Sequence, residues 1–170
     1  MAFTVYNVPP IAPDPDNTTY IEGGGLRVGV EYRLLNDEEL AANYEGAAMD
    51  EVQAGIQGDI EDSGVSLHVE SVVDGKEYLR FDCFENGPHY HYIEPTGKSQ
   101  TVVDYDSAAL GEMLPWALGQ LRERLFPMLK RAGGAALIAG IDEPAFRSCL
   151  DEVERLARDA SEALATQKQH

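Results

Sequence analysis

The chain has 170 residues with an apolar content of 44%, which is enough for one domain with its own hydrophobic core. Its formal net charge is −17, so nucleic acid phosphates and anionic lipid surfaces would repel it. We therefore expect neither nucleic acid nor a membrane as a partner. Residues 1–107 hold 21 acidic and 5 basic residues, a balance that suits a basic partner or cations, or serves solubility.

The sequence also predicts a cytoplasmic location. The first ten residues lack the basic start and apolar run of a signal peptide, and no stretch approaches the length of a membrane-spanning segment. Cys83 and Cys149 have no CxxC or zinc-finger spacing, so we expect two buried free thiols in a reducing compartment.

Residues 1–25 are predicted to form an extended arm, because their prolines and glycines cannot sustain a helix or donate to a central strand ladder. The arm is too apolar for a free tail, so we expect it to lie on its own domain or on a partner chain. Its five large apolar residues are Phe3, Val5, Tyr6, Val8 and Ile11. Residues 26–166 then make up one α+β domain.

That domain opens with a strand and a short helix. Apolar and polar residues alternate through residues 26–35, which is typical of a half-buried strand. Asn36 with Glu39 three residues later predicts an N-cap and a helix through about Gly46. Residues 47–63 carry many acids and two glycines, and we interpret them as irregular or weakly helical.

The rest of the chain predicts four strands followed by two helices. The strands span residues 64–73, 76–84, 89–94 and 100–105, with turns at residues 74–75, 86–87 and 96–97. The helices run over residues 107–132 and from Asp142, the predicted N-cap, onward, each with an apolar stripe. We expect an α+β fold: an antiparallel β-meander of about five strands with two C-terminal amphipathic helices packed on one face.

Most of the histidines are predicted to gather on the other face of this sheet, which we expect to be open. A two-residue turn at Asn86-Gly87 would pair Asp82 with His91. Strand alternation then places Arg80, Asp82, His89 and His91 on one face. The opposite face carries the apolar set, which is Leu79, Phe81, Cys83, Tyr90 and Tyr92.

The register of the preceding hairpin decides where His68 lies. A three-residue loop with a left-handed glycine at Gly75 would pair Leu67 with Phe81 and bury it. The same register places His68 on the face of Asp82. Asp104 joins this face if the last turn is tight.

The predicted cluster therefore consists of His68, Asp82, His89 and His91. Two imidazoles or more with a carboxylate can bind a divalent ion such as Zn, Mn, Fe or Ni, or can act as a general base with an orienting carboxylate. The alternative is a polar outer surface of the sheet. No GxGxxG, P-loop or GxSxG motif is present.

Two functions remain open at this stage. One is a non-catalytic accessory or interaction subunit, or a homo-oligomer, in which the arm and the histidine face form interfaces with protein. The other is a metal-binding protein or metal-dependent enzyme centred on the histidine cluster. Whether the protein is an enzyme is left undecided by the sequence.

Overall fold

The computed structural model describes residues 2–56 and 58–168, and it shows an α+β fold built on a seven-stranded antiparallel sheet. The strands lie in the order β1-β7-β6-β5-β4-β3-β2. Their bounds are β1 Phe3–Tyr6, β2 Thr18–Gly23, β3 Leu26–Asn36, β4 Glu61–Ser71, β5 Glu77–Phe84, β6 His89–Ile93 and β7 Gln100–Asp104.

Six α-helices accompany the sheet in the described ranges. They are α1 Asp37–Asn43, α2 Gly46–Gly55, α3 Ser107–Leu110, α4 Met113–Glu123, α5 Leu125–Arg131 and α6 Glu143–Lys168. Both predicted N-caps are confirmed. The side chain of Asn36 accepts from the amide of Glu39 at 2.8 Å, and that of Asp142 accepts from the amide of Ala145 at 3.1 Å.

The prediction of an antiparallel meander is confirmed, but the count of about five strands is too low. Residues 3–6 and 18–23 add a strand at each edge of the sheet, β1 on β7 and β2 on β3. The four prolines of this segment lie between the two strands, so they interrupt no ladder. At the β2–β3 turn, Gly24 has φ of +63°, and a Cβ there would lie 2.1 Å from the carbonyl oxygen of Asp142.

The helix predicted over residues 107–132 is divided into α3, α4 and α5. Gly111 follows α3 with φ of +82°, and Arg124 separates α4 from α5. Pro115 and Pro127 lie in the first turns of α4 and α5, where a missing amide proton costs no helical hydrogen bond. These prolines therefore begin new helices after the breaks.

The core face of the sheet, which we define by Val28, Leu67, Leu79, Phe81 and Tyr90, packs against α4, α5 and α6. The apolar stripe of α6 is fully buried there and consists of Phe146, Leu150, Val153 and Ala157. The prediction that the C-terminal helices share one face of the sheet is thus confirmed.

The polar face, which we define by Glu31, His68, Arg80, Asp82 and His91, is covered as well. The expectation that this face is open is wrong. The chain between β1 and β2 packs over it together with α1 and α2, and α2 forms within the stretch interpreted as irregular or weakly helical. Four buried residues make a second, smaller apolar cluster, namely Val8, Leu40, Tyr44 and Val52.

Candidate metal centre

Strands β5 and β6 bring one carboxylate and two imidazoles together on the polar face. Asp82 lies directly opposite His89, and His91 lies two residues further along the same strand. The Oδ2 atom of Asp82 is 3.1 Å from Nε2 of His89 and 2.9 Å from Nε2 of His91. All three ligand atoms lie within 4.8 Å of one another, which is the spacing of a metal site.

The predicted pairing of Asp82 with His91 is wrong by two residues. The turn is wider than two residues because the carboxylate of Asp62 accepts hydrogen bonds from the amides of Asn86 and Gly87, at 3.0 and 2.7 Å. A slip of two residues leaves every side chain on its face. The predicted grouping of Asp82 with the two histidines therefore survives the error.

The orientation of the two rings is set by oxygen atoms behind them. Nδ1 of His89 lies 2.7 Å from the carbonyl oxygen of Gly87, which can only accept, so this nitrogen carries a proton. Nδ1 of His91 lies 2.7 Å from Oε1 of Gln100, whose amide nitrogen points at the carbonyl oxygen of Val8, 3.5 Å away. When the rings are neutral, this placement of the proton on Nδ1 leaves a lone pair on each Nε2 atom, directed at Asp82.

With both rings neutral, three electron-pair donors therefore converge on one point. Such an arrangement is repulsive unless a metal ion or a proton lies among the three atoms. Metal-bound histidines characteristically donate their second ring proton to a carbonyl or carboxylate, as His89 and His91 do here. Separations of 2.9 and 3.1 Å suit neighbouring ligands around a first-row ion, which binds imidazole nitrogen at about 2.1 Å.

The electrostatics of the three groups follow from burial and mutual contact. Burial raises the pKa of Asp82, but hydrogen bonds from His89 and His91 outweigh it and hold that pKa well below its usual range. Burial lowers the pKa of both imidazoles. The net pKa of His91 is lowered, whereas at His89 the hydrogen bond to Asp82 outweighs burial and the net pKa is raised. The Ser66 hydroxyl donates to Oδ1 of Asp82, which leaves Oδ2 for the histidines.

The triad of Asp82, His89 and His91 lines a cavity of about 430 Å³ between the polar face and the helices α1 and α2. This volume lies within the range of small-molecule sites. The wall opposite the triad is apolar through Leu40, Val52, Ile56 and Ile60, and Leu35 of β3 adds a further apolar side chain to the lining. The cavity also has a polar lining, to which Arg33, Arg80, Gln100 and Asp104 contribute.

His68 lies on the polar face, as the predicted register requires, but outside the triad. The pairings Leu67–Phe81 and His68–Arg80 are observed, although the loop spans residues 72–75 and has a bulge beside Glu70. The His68 ring is fully buried between two carboxylates. Its Nδ1 is 2.5 Å from Glu77 and its Nε2 is 2.9 Å from Glu31.

Both ring nitrogens of His68 face acceptors, so the ring is held as an imidazolium. Burial lowers the pKa of His68, but the hydrogen bonds to Glu31 and Glu77 outweigh it and the net pKa is raised. Glu77 in turn holds Arg80 in a two-bond fork at 3.0 and 2.6 Å. Burial raises the pKa of Glu77, and Arg80 with His68 lowers it to about 2.

Several residues of this site were not identified from the sequence. Gln100 and Ser66 lie in strands whose polar side could have suggested a role, but neutral side chains are common there. Glu31 and Arg33 fall on the polar side of β3 by alternation, but the sequence offers them no partner, because pairing β3 with β4 needs the tertiary fold. Of the two cysteines, Cys83 lies on the core face, where burial raises its pKa.

Comparison with known proteins assigns the chain to a family. The profile of a domain of unknown function, DUF7700, matches residues 20–157. The chain belongs to the DUF7700 family. The matched range contains Asp82, His89 and His91, together with α1 and α2, but excludes β1 and the chain between β1 and β2. Searches of curated proteins and of solved structures gave no match.

The helices were also compared with the requirements for crossing a bilayer. Within the described ranges, none of them combines the necessary length with sufficient apolar character.

Proposed function

We propose that this DUF7700 protein binds a divalent first-row metal ion through Asp82, His89 and His91, and that the ion holds a small molecule in the adjoining pocket. The observation that supports this is the convergence of two Nε2 atoms on Oδ2 of Asp82, at 3.1 and 2.9 Å. Two imidazoles and one carboxylate suit Zn, Mn, Fe or Ni.

The pocket supports an open site over a purely structural one. Structural zinc sites are closed by four protein ligands, whereas catalytic sites leave a position for water or substrate. Here the described chain offers three ligands, all from one wall of a cavity of about 430 Å³. Remaining coordination positions would face the cavity, where a bound molecule could be polarised by the ion.

Metal titration of tag-free protein tests this proposal. After treatment with a chelator, the protein is titrated with zinc, manganese, iron(II) or nickel. One of these ions should bind at about one per chain and raise Tm by roughly 5 to 10 °C when present 100-fold above its Kd. Elemental analysis gives the stoichiometry, and scanning calorimetry gives the Tm.

A matched pair of variants assigns the ligands. Asp82→Asn should abolish the metal-induced rise in Tm, whereas Asp104→Asn should retain it. Asp104 lies opposite His89 on the same face but is exposed and outside the group of converging ligand atoms. His89→Ala provides a second ligand variant if Asp82→Asn folds poorly. Absence of binding by all four ions, or retained binding in both ligand variants, would refute the proposal.

The second candidate is association of the chain with a second copy of itself, as an interaction protein would require. The supporting observation is the edge strand β1, where Phe3 and Val5 are 61% and 55% exposed. Residues 3–6 are uncharged in a chain of net charge −17, so two copies would repel each other least at this edge. Val5→Lys should reduce dimer formation in sedimentation velocity, with Val73→Lys at an exposed turn as the control. A monomeric wild type would exclude this candidate.

A further inference from the structure

The charges of the pocket are arranged by depth, with cations inside and carboxylates at the mouth. Arg80 and Arg33 line the cavity with side chains only 3% and 10% exposed. Apart from Asp82, the carboxylates that line the cavity lie nearer the surface. Three of them are exposed, namely Asp59, Glu61 and Asp104. The interior of the pocket therefore differs in sign from the surface around it.

The buried network behind the pocket has an excess of positive charge. Its three cations are Arg33, His68 and Arg80, and its two carboxylates are Glu31 and Glu77. His68 counts as a cation because carboxylates occupy both of its ring nitrogens. A divalent ion at the triad would add to this excess, since Asp82 supplies its only carboxylate in the described group.

Arg80 has donors left for a ligand. It precedes Asp82 by two positions on the same face of β5 and lies opposite His91, so it adjoins the metal centre. Its Nε and Nη2 atoms donate to Glu77, while its Nη1 atom makes no hydrogen bond within residues 2–56 and 58–168. A guanidinium held on one side by a carboxylate is well placed to donate to an anion on the other side.

The far wall of the pocket favours an apolar body for the ligand. Leu40 and Val52 are buried members of the small cluster, and Leu35, Ile11 and Ile56 pack against them. The hydroxyl of Tyr44 is engaged by the carbonyl oxygen of Pro9 at 2.6 Å. A ligand would therefore meet hydrocarbon at this end and positive charge at the other.

We propose that the pocket binds a small monocarboxylate with an apolar body, whose carboxylate lies between the metal ion and the guanidinium of Arg80. This inference deepens the proposed metal function and rests on it for the position of the carboxylate. One carboxylate oxygen would ligate the ion, and the other would accept from Arg80. No bond is made or broken in this step.

A carboxylate and its neutral analogue test the inference without any mutation. Zinc-loaded protein is titrated by calorimetry with 4-methylpentanoate and with 4-methylpentanamide, which match in shape and differ in charge. The carboxylate should bind roughly tenfold or more tightly than the amide, because charged hydrogen bonds stabilise more than neutral ones. Equal binding of the two, or binding of inorganic phosphate with no binding of the carboxylate, would overturn the inference.

Variants of arginine then test the role of Arg80. Arg80→Gln should weaken 4-methylpentanoate binding by about tenfold or more. The zinc affinity of this variant should stay within a few-fold of wild type. Arg80→Lys keeps the charge and provides a second variant if Arg80→Gln is unstable. Arg122→Gln is the control, since Arg122 pairs with Asp151 on the outer side of the helices. Unchanged carboxylate affinity in both Arg80 variants would overturn the inference.

The zinc measurement tests the metal centre separately from the monocarboxylate ligand. Zinc binding without carboxylate binding refutes the monocarboxylate and leaves the metal centre intact. Carboxylate binding that depends on Arg80 in a protein that binds none of the four metals refutes the metal centre and retains the anion pocket.

Discussion

Neighbouring residues of β4 and β5 are buried on both sides of the sheet, yet they differ completely in chemistry. On the core face Leu67, Val69 and Phe81 are fully buried in an apolar cluster. On the polar face His68 and Arg80 are buried to the same degree but carry charges. One face supplies stability through apolar burial, and the other maintains paired charges at a considerable desolvation cost.

This contrast indicates which face of the sheet can carry a function. Buried ion pairs are seldom more stabilising than apolar residues of the same size, so their presence needs another reason. Here the reason proposed is the cavity, whose inner end is formed by Asp82, His91 and Arg80. Substitutions on the two faces should therefore separate stability from binding.

The largest loss of stability is expected from the core face. Phe81→Ala should lower the free energy of unfolding by about 4 kcal/mol, because the ring is fully buried and contacts Tyr90 and Trp116, with ring centroids 6.1 and 6.2 Å away. Urea unfolding measures this loss. Zinc affinity of the folded fraction should be unchanged. A loss below about 1 kcal/mol would contradict the assignment of the core face.

A somewhat smaller loss is expected when one charge of the buried network is removed. Glu77→Gln should cost about 3 kcal/mol at neutral pH, since His68 and Arg80 both lose their ionised partner. The matched control is Glu22→Gln on the edge strand β2, where the side chain is exposed. Equal urea midpoints for the two variants would show that Glu77 does not form the buried ion pairs with His68 and Arg80.

The pH dependence of stability should reveal the imidazolium of His68. Because its pKa is raised above the ordinary 6.5, the folded state binds the proton more tightly than the unfolded state. The stabilisation is complete below pH 6.5 and is lost as the pH rises through the folded-state pKa. Unfolding free energies measured from pH 6 upward should fall in the wild type.

The variant His68→Gln isolates this contribution, since all other titrating groups are shared with the wild type. The difference in unfolding free energy between the two proteins should shrink as the pH rises above 6.5. A constant difference across the range would mean that His68 is not protonated in the folded protein.

The smallest effect is expected in the cluster that covers the polar face. Val52→Ala on α2 should cost about 1 kcal/mol, because this cluster has few buried members and α2 is exposed over most of its length. Urea unfolding should show the loss, and the thermal shift with zinc should remain. If Val52→Ala destabilised the protein as much as Phe81→Ala, the two faces would not differ in the way described.

Much of the strand pattern and its chemistry could be predicted from the sequence. Alternation with a period of two assigns Phe81 to one face and Arg80, Asp82, His89 and His91 to the other, and this assignment depends on local geometry alone. Asn36 and Asp142 mark helix starts for an equally local reason, since each cap bonds an amide three residues ahead.

Other features depend on contacts between residues distant in sequence, and only the tertiary structure decides them. The turn after β5 is wide because Asp62 binds the amides of Asn86 and Gly87 from 24 and 25 residues away. Residues 3–6 and 18–23 form two edge strands because β7 and β3 offer unpaired backbone groups. His68 lies between Glu31 and Glu77 instead of beside Asp82 because β3 pairs with β4. Hydrophobic periodicity specifies which face of the sheet a side chain lies on. Which side chains become neighbours on that face depends on strand register and turn length, and long-range hydrogen bonds select both.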